Sequence, residues 1–183
     1  GGNLSIANIM VLSVDSIEYS TETTTINIQS GTLPTATDTA SSSTKEIEVK
    51  SYFSFGLNID IVGVCEGGVD RFLMYEKTDG GTGFLVKNAN LGVENLLELR
   101  LDMEYRVEDG FYLLIAGDAK IIPLGVGVAA VGKISTLNDK TSFGFFVAAK
   151  AEIRVIPGLI AITRIGGGFF YNPTDSDINV VTS

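Results

Sequence analysis

Between Asn95 and Tyr171 the chain alternates apolar and polar residues with a period of two. Leu97, Leu99, Leu101, Met103, Tyr105 and Val107 are apolar, and the residues between them, Glu98, Arg100, Asp102, Glu104 and Arg106, are all charged. A strand sorts these two sets onto opposite faces, and a helix cannot. Glu108-Asp109-Gly110 then signals a turn. Phe111, Leu113, Ile115, Ala119 and Ile121 keep one parity until Pro123 interrupts them. Leu124 to Ile134 is rich in Gly, Val and Ala, which predicts sharp curvature or a close-packed neighbour. Phe143, Phe145, Val147, Ala149, Ala151, Ile153 and Val155 form a further apolar row, opposed by Lys150, Glu152 and Arg154. Ile156-Pro157-Gly158 turns the chain into a return strand that ends in Gly166-Gly167-Gly168-Phe169-Phe170-Tyr171.

The same pattern runs upstream. Lys45 to Cys65 holds one alternating register through Phe53, Phe55, Leu57, Ile59 and Ile61. An ordinary strand has about 5–6 residues, so a bulge or bend is expected near Ser51 or Gly56. Glu66-Gly67-Gly68 reads as a turn and Arg71 to Lys77 as a strand. Thr78-Asp79-Gly80-Gly81 is a hairpin signal, Phe84 to Lys87 pairs back, and Asn88 to Glu94 reads as a polar connection.

The N-terminal stretch differs. Leu4, Ile6, Met10, Leu12 and Val14 share one parity, and Ile9, Val11 and Ile17 lie on the other, so both faces are largely apolar. Such a strand wants burial on both sides. It suits a central strand of its own sheet, or an arm that completes a neighbour's sheet by strand addition. Thr23 to Ile28 is a short Thr/Ile strand, and Gln29 to Thr44 is a small, hydroxyl-rich, low-complexity stretch that reads as a linker.

These elements predict an all-β fold: an antiparallel sandwich or barrel-like sheet of about ten strands with hairpin turns, plus an N-terminal strand arm. The expected organisation is an arm at 1–28, a linker loop at 29–44 and a main antiparallel domain at 45–183.

Composition narrows the chemistry. The 183 residues carry a net charge of −9 and no Lys/Arg cluster, which argues against nucleic acid as a partner. There is no histidine, which excludes Ser-His-Asp and Cys-His catalysis and His-ligated metals. The single cysteine, Cys65, closes no internal disulfide and reads as a buried thiol. Acidic residues alternate with bases rather than pairing, and no nucleotide-binding glycine motif is present. Asp175 and Asp177 could offer oxygen ligands to Ca²⁺, the one cofactor the sequence suggests. No apolar run approaches the ~18 residues of a spanning helix.

Three readings of function follow. The first is a non-enzymatic, extracellular or cell-surface structural domain that assembles with copies of itself into a filament, tube or surface layer. Its assembly strand would carry Leu4, Ile6, Ile9, Met10, Val11, Leu12, Val14 and Ile17. The second is a lipid-binding groove or barrel lined by Phe53, Phe55, Leu99, Leu101, Met103, Phe143 and Phe145. The third is an outer-membrane β-barrel, whose strand lengths fit. Against the third stand the absence of Trp for interfacial girdles and the lack of any place for the N-terminal arm.

Overall fold

The computed structural model describes residues 2–6, 9–31, 42–108, 110–136, 140–156, 159–172 and 177–182. Twelve strands follow in order: β1 (Gly2–Ile6), β2 (Met10–Ser20), β3 (Thr24–Gly31), β4 (Ser42–Ile61), β5 (Cys65–Lys77), β6 (Thr82–Val93), β7 (Leu97–Glu108), β8 (Gly110–Ile121), β9 (Val126–Ser135), β10 (Ser142–Ile156), β11 (Leu159–Asn172) and β12 (Asp177–Thr182). A 3₁₀ turn at Ile122–Leu124, with Pro123 inside it, links β8 to β9.

All pairings are antiparallel, and the strands lie in the order β1-β2-β4-β5-β6-β7-β8-β9-β10-β11-β12, with β3 also on β4. The all-β, hairpin-connected architecture expected from the periodicity is present. It takes the form of one sheet, which does not close into a barrel.

Residues 10–20 lie inside this sheet, between β1 and β4. Gln29 to Gly31 and Ser42 to Thr44, within the hydroxyl-rich stretch, are strand, because β3 and the first part of β4 pair as a hairpin. Residues 32–41 lie outside the described residues.

The register of β4 on β5 shifts between Val49 and Ser51 and again between Phe55 and Leu57, the two places where the long alternating run predicts a bulge. The second irregularity continues across the sheet. Asp70-Arg71 on β5 and Lys87-Asn88 on β6 each supply two residues where the strand beyond supplies one. Asn88 adopts φ 49° there, an αL conformation that Asn tolerates.

Two expectations need correction. Asn88 to Val93 is not a connection but the second half of β6, which keeps pairing with β7 beyond the bulge. Gly67 and Gly68 are not a turn; they lie in β5, and the turn is at Val62-Gly63-Val64. Their smallness serves close approach instead, since a Cβ on Gly67 would meet the Asn90 carbonyl at 3.0 Å and one on Gly68 the Leu57 carbonyl at 2.5 Å. The Thr78–Gly81 turn forms as expected. Gly80 takes φ 94°, and Asp79 accepts from the Gly81 N–H at 3.1 Å and from Lys77 Nζ at 2.7 Å. The Lys77 ammonium, and then the Gly81 N–H, hold the Asp79 carboxyl below its ordinary value.

The core is asymmetric. Ile26, Ile28, Ile47, Val49, Leu73, Tyr75 and Leu85 form one buried cluster. Were the sheet flat, Asn27 (opposite Glu46) would stand about nine residues, roughly 30 Å, from Arg71 along the strands. Instead Arg71 Nη1 donates to the Asn27 carbonyl at 3.0 Å, while its Nε donates to Ser54 Oγ at 3.2 Å. The β3–β4 hairpin therefore folds back, at the break around Thr21–Thr23 and at the shift beside Lys50. Its apolar side comes down on the sheet face that carries Leu73, Tyr75 and Leu85. Further along that face Tyr112, Leu114, Ser135 and Ala148 are also buried. Among the described residues no second layer lies over them, and a sheet that curls toward this side accounts for their burial.

Leu73 is 0% exposed and joins the hairpin to the sheet. Leu73→Ala is expected to cost about 2–5 kcal/mol, while Leu101→Ala on the other face costs no more than about 1 kcal/mol. Urea unfolding followed by circular dichroism measures both.

Candidate functional site

The direct cross-strand partners define rows that run the width of the sheet. One row is Tyr19, Phe53, Met74, Phe84, Tyr105, Leu113, Ile134 and Phe143. The next is Ile17, Phe55, Phe72, Val86, Met103, Ile115, Gly132, Phe145 and Phe169. Three more lie behind, centred on Leu101, Leu99 and Leu97. Opposed residues in an antiparallel pair share a face, so these five rows are one surface. From β4 to β10 it presents five positions on each of seven strands, and every one is Gly, Ala, Cys or a larger apolar residue, Tyr105 included. None is charged, and none is Ser, Thr, Asn or Gln.

This surface is on the outside of the curl. Phe53, Met74, Leu101, Ile115, Val128, Phe145 and Val147 all count among the exposed large hydrophobics. Seven strands about 4.8 Å apart and about 27 Å long make a patch of roughly 900 Å², against the 300–600 Å² of the largest patch on a typical soluble monomer.

Aromatic residues divide the surface. Within the five rows on these seven strands they occupy only the first two, at the end of the sheet bearing the Thr78–Gly81 turn. They pair there: Phe55 with Phe72 at 5.0 Å between ring centroids, Phe84 with Tyr105 at 5.4 Å, and Phe145 with Phe169 at 4.6 Å. The three rows behind are aliphatic.

The inner face is polar and charged by comparison. Glu98 stands opposite Lys120 and Arg100 opposite Asp118. At the bulge, Asp102 accepts from Lys87 Nζ at 2.9 Å and from the Asn88 N–H at 2.6 Å, while Asn88 Nδ2 donates to Asp70 at 2.8 Å. Deeper in, Glu104 is buried and pairs with Arg106 Nε at 3.0 Å. The Arg106 guanidinium lies 4.2 Å from the Tyr112 ring centroid, and Lys133 Nζ lies 5.4 Å from the same ring. This arrangement holds its charges inward and leaves the outer rows free of them.

The structure places Phe53, Phe55, Leu99, Leu101, Met103, Phe143 and Phe145 together on the outer face. Of the N-terminal set, Leu4, Ile6, Met10, Leu12 and Val14 continue the rows across β1 and β2, as does Ile17; Val11 has the other parity, and Ile9 lies in the β1–β2 turn. Asp175 lies outside the described residues, and for Asp177 only its backbone pairing with Asn172 is described. Among the described residues no group of three His, Cys, Asp or Glu is placed to hold a metal ion. The inner cluster of Glu104, Arg106, Tyr112 and Lys133 escapes a sequence reading. Alternation assigns all four to the polar face of their strands, yet Glu104 and Tyr112 are buried and Arg106 and Lys133 half-buried.

No family model matches this chain, no curated protein matches it, and no solved structure matches its fold.

Breaking a buried ion pair on one side costs about 3–5 kcal/mol, because the remaining charge stays buried. Arg106→Ala is expected to destabilise by that amount. The double variant Glu104→Leu with Arg106→Leu should recover most of the loss, as read from urea midpoints.

Proposed function

We propose that this chain is a non-catalytic, lipid-facing β-sheet of the outer-membrane type, with its apolar face against acyl chains and its charged face turned inward. The observation that carries this reading is the run of five uncharged rows across seven strands. Water is a poor neighbour for such a face, and no part of the described chain covers it.

The dimensions agree. Eight residue steps between the first and fifth rows make about 27 Å along a strand, and at a tilt of about 40° they rise about 21 Å, near the ~25 Å apolar band of membrane barrels. The aromatic rows lie at one rim, where membrane barrels carry girdles. Phe and Tyr fill that role here without Trp. The N-terminal residues also have a place: β2 is a wall strand, and β3 with the start of β4 folds onto the inner face. No helix among the described residues is long and apolar enough to cross a membrane, which leaves the strands as the membrane-contacting elements of this reading.

Leu101 is in the middle row. Leu101→Arg should cost about 2–4 kcal/mol in a membrane and sharply reduce co-flotation with phosphatidylcholine vesicles, whereas Ala129→Arg, on the inner face opposite Asp118, should float like the parent. A parent chain that stays with the soluble fraction and gains nothing from vesicles overturns the reading.

Self-assembly at a cell surface is the second reading, and the open sheet favours it. β1 and β12 each pair on one side only among the described residues. Unpaired edges are templates for another strand. In detergent, the full chain should then form multimers that a chain lacking residues 1–8 does not, as measured by light scattering; equal masses remove this reading.

A further inference from the structure

Among the described residues, the outer face carries an open cleft of about 690 Å³ at the aromatic rim, where β2 ends and β4 bends. Its walls are the rings of Tyr19, Phe53, Phe72, Phe84 and Tyr105, with Met74, 52% exposed, between them. The tilted ring pair Phe84–Tyr105 forms one wall. Phe72, in tilted ring contact with Phe55, contributes to the other. The bend creates the recess. The shift beside Lys50 carries the start of β4 inward with its hairpin, and the outer rows lose a neighbour there.

The cleft is apolar below and polar at its lip. Ser51 and Thr82 stand at the lip with Glu76, whose carboxylate lies 3.3 Å from Lys50 Nζ. Both members of that pair are about half exposed, so both charges remain open to a further partner. Tyr19, 76% exposed, presents a free ring beside them.

We infer that this cleft seats one zwitterionic phospholipid, its acyl chain over Met74 and its headgroup at the Lys50–Glu76 pair. The inference rests on the reading that the outer face meets lipid. Three features select the occupant. The floor continues the apolar rows, so the acyl chain of a membrane lipid enters without leaving its own layer. The lip offers a positive and a negative group side by side, which matches a phosphate and an ammonium on one headgroup. Aromatic faces attract an alkylated ammonium, and rings line the cleft directly below the lip. A purely anionic headgroup would satisfy Lys50 and leave its charge against Glu76.

The chain contains no Trp, so one introduced Trp reports without background. Met74→Trp and, separately, Leu101→Trp are to be placed in mixed phosphatidylcholine–phosphatidylglycerol vesicles in which only one of the two lipids carries brominated acyl chains. The Trp at position 74 should associate about threefold more with brominated phosphatidylcholine than with brominated phosphatidylglycerol, the scale of a partly exposed ion pair and a cation–π contact. The Trp at position 101 should show no preference. Lys50→Gln with Glu76→Gln should abolish the preference at position 74 without changing position 101. Equal quenching by both lipids at position 74, or none there while position 101 is quenched, overturns the cleft proposal and leaves the membrane reading standing. Absence of quenching at both positions overturns the membrane reading itself. Phe84→Trp, on the opposite wall, repeats the test if Met74→Trp misfolds, with the same preference expected.

Discussion

Everything in this sheet depends on register. A strand displaced by one residue exchanges its two faces, and here that exchange would put Glu, Arg and Asp among the outer rows and Leu inside. The strands hold their parity in step through β4 to β10 despite two irregularities. They do so because the irregularities are matched. Val69 and Phe72 are three residues apart on β5, as are Val86 and Ala89 on β6, yet all four stay in the outer rows. The extra residues, Asp70, Arg71, Lys87 and Asn88, are polar. They bond to one another's neighbours, Asp102 and Ser54, so the added length is taken up on the side that tolerates polarity.

The inner face shows what curvature does to such a pattern. Glu104 and Tyr112 are ordinary solvent-side residues by alternation, and curling makes them interior ones. Burial of a carboxylate is costly unless it is paired, and Arg106 lies 3.0 Å away to pair it. The guanidinium in turn rests on Tyr112, and Lys133 approaches the same ring from the adjacent strand, β9. The apolar half of the interior comes from elsewhere in the sequence, from the Ile and Val residues of the inward hairpin.

Periodicity made much of this legible. The strand rows, the hairpin turn at Asp79-Gly80, the stop at Pro123 and the bulges near Ser51 and Gly56 all follow from local chemistry. What stayed hidden was long-range. Gly67-Gly68 resembles a turn because glycine has two uses, and only the proximity of the Leu57 and Asn90 carbonyls shows which one applies. Asn88 to Val93 resembles a loop because the bulge breaks alternation. The outer face could be read as a row of apolar residues, but not as an outside, since the direction of curl is decided by where the hairpin packs. The cleft has no sequence signature, being assembled from β2, β4, β5, β6 and β7.

The inward fold of the hairpin also decides which parts of the sheet can recruit another chain. Among the described residues β3 pairs only with β4, so along its other side runs a ladder of main-chain donors and acceptors. Lying flat, β3 would continue the open edge of Ser16 to Ser20, the part of β2 that β1 does not pair, and offer an incoming strand a long template. Tucked under the curl, with Asn27's carbonyl already taken by Arg71, β3 is out of the plane in which an edge recruits. The segment thereby withdraws β3 from strand addition, and among the described residues the short strands β1 and β12 each keep one open side in the plane of the sheet.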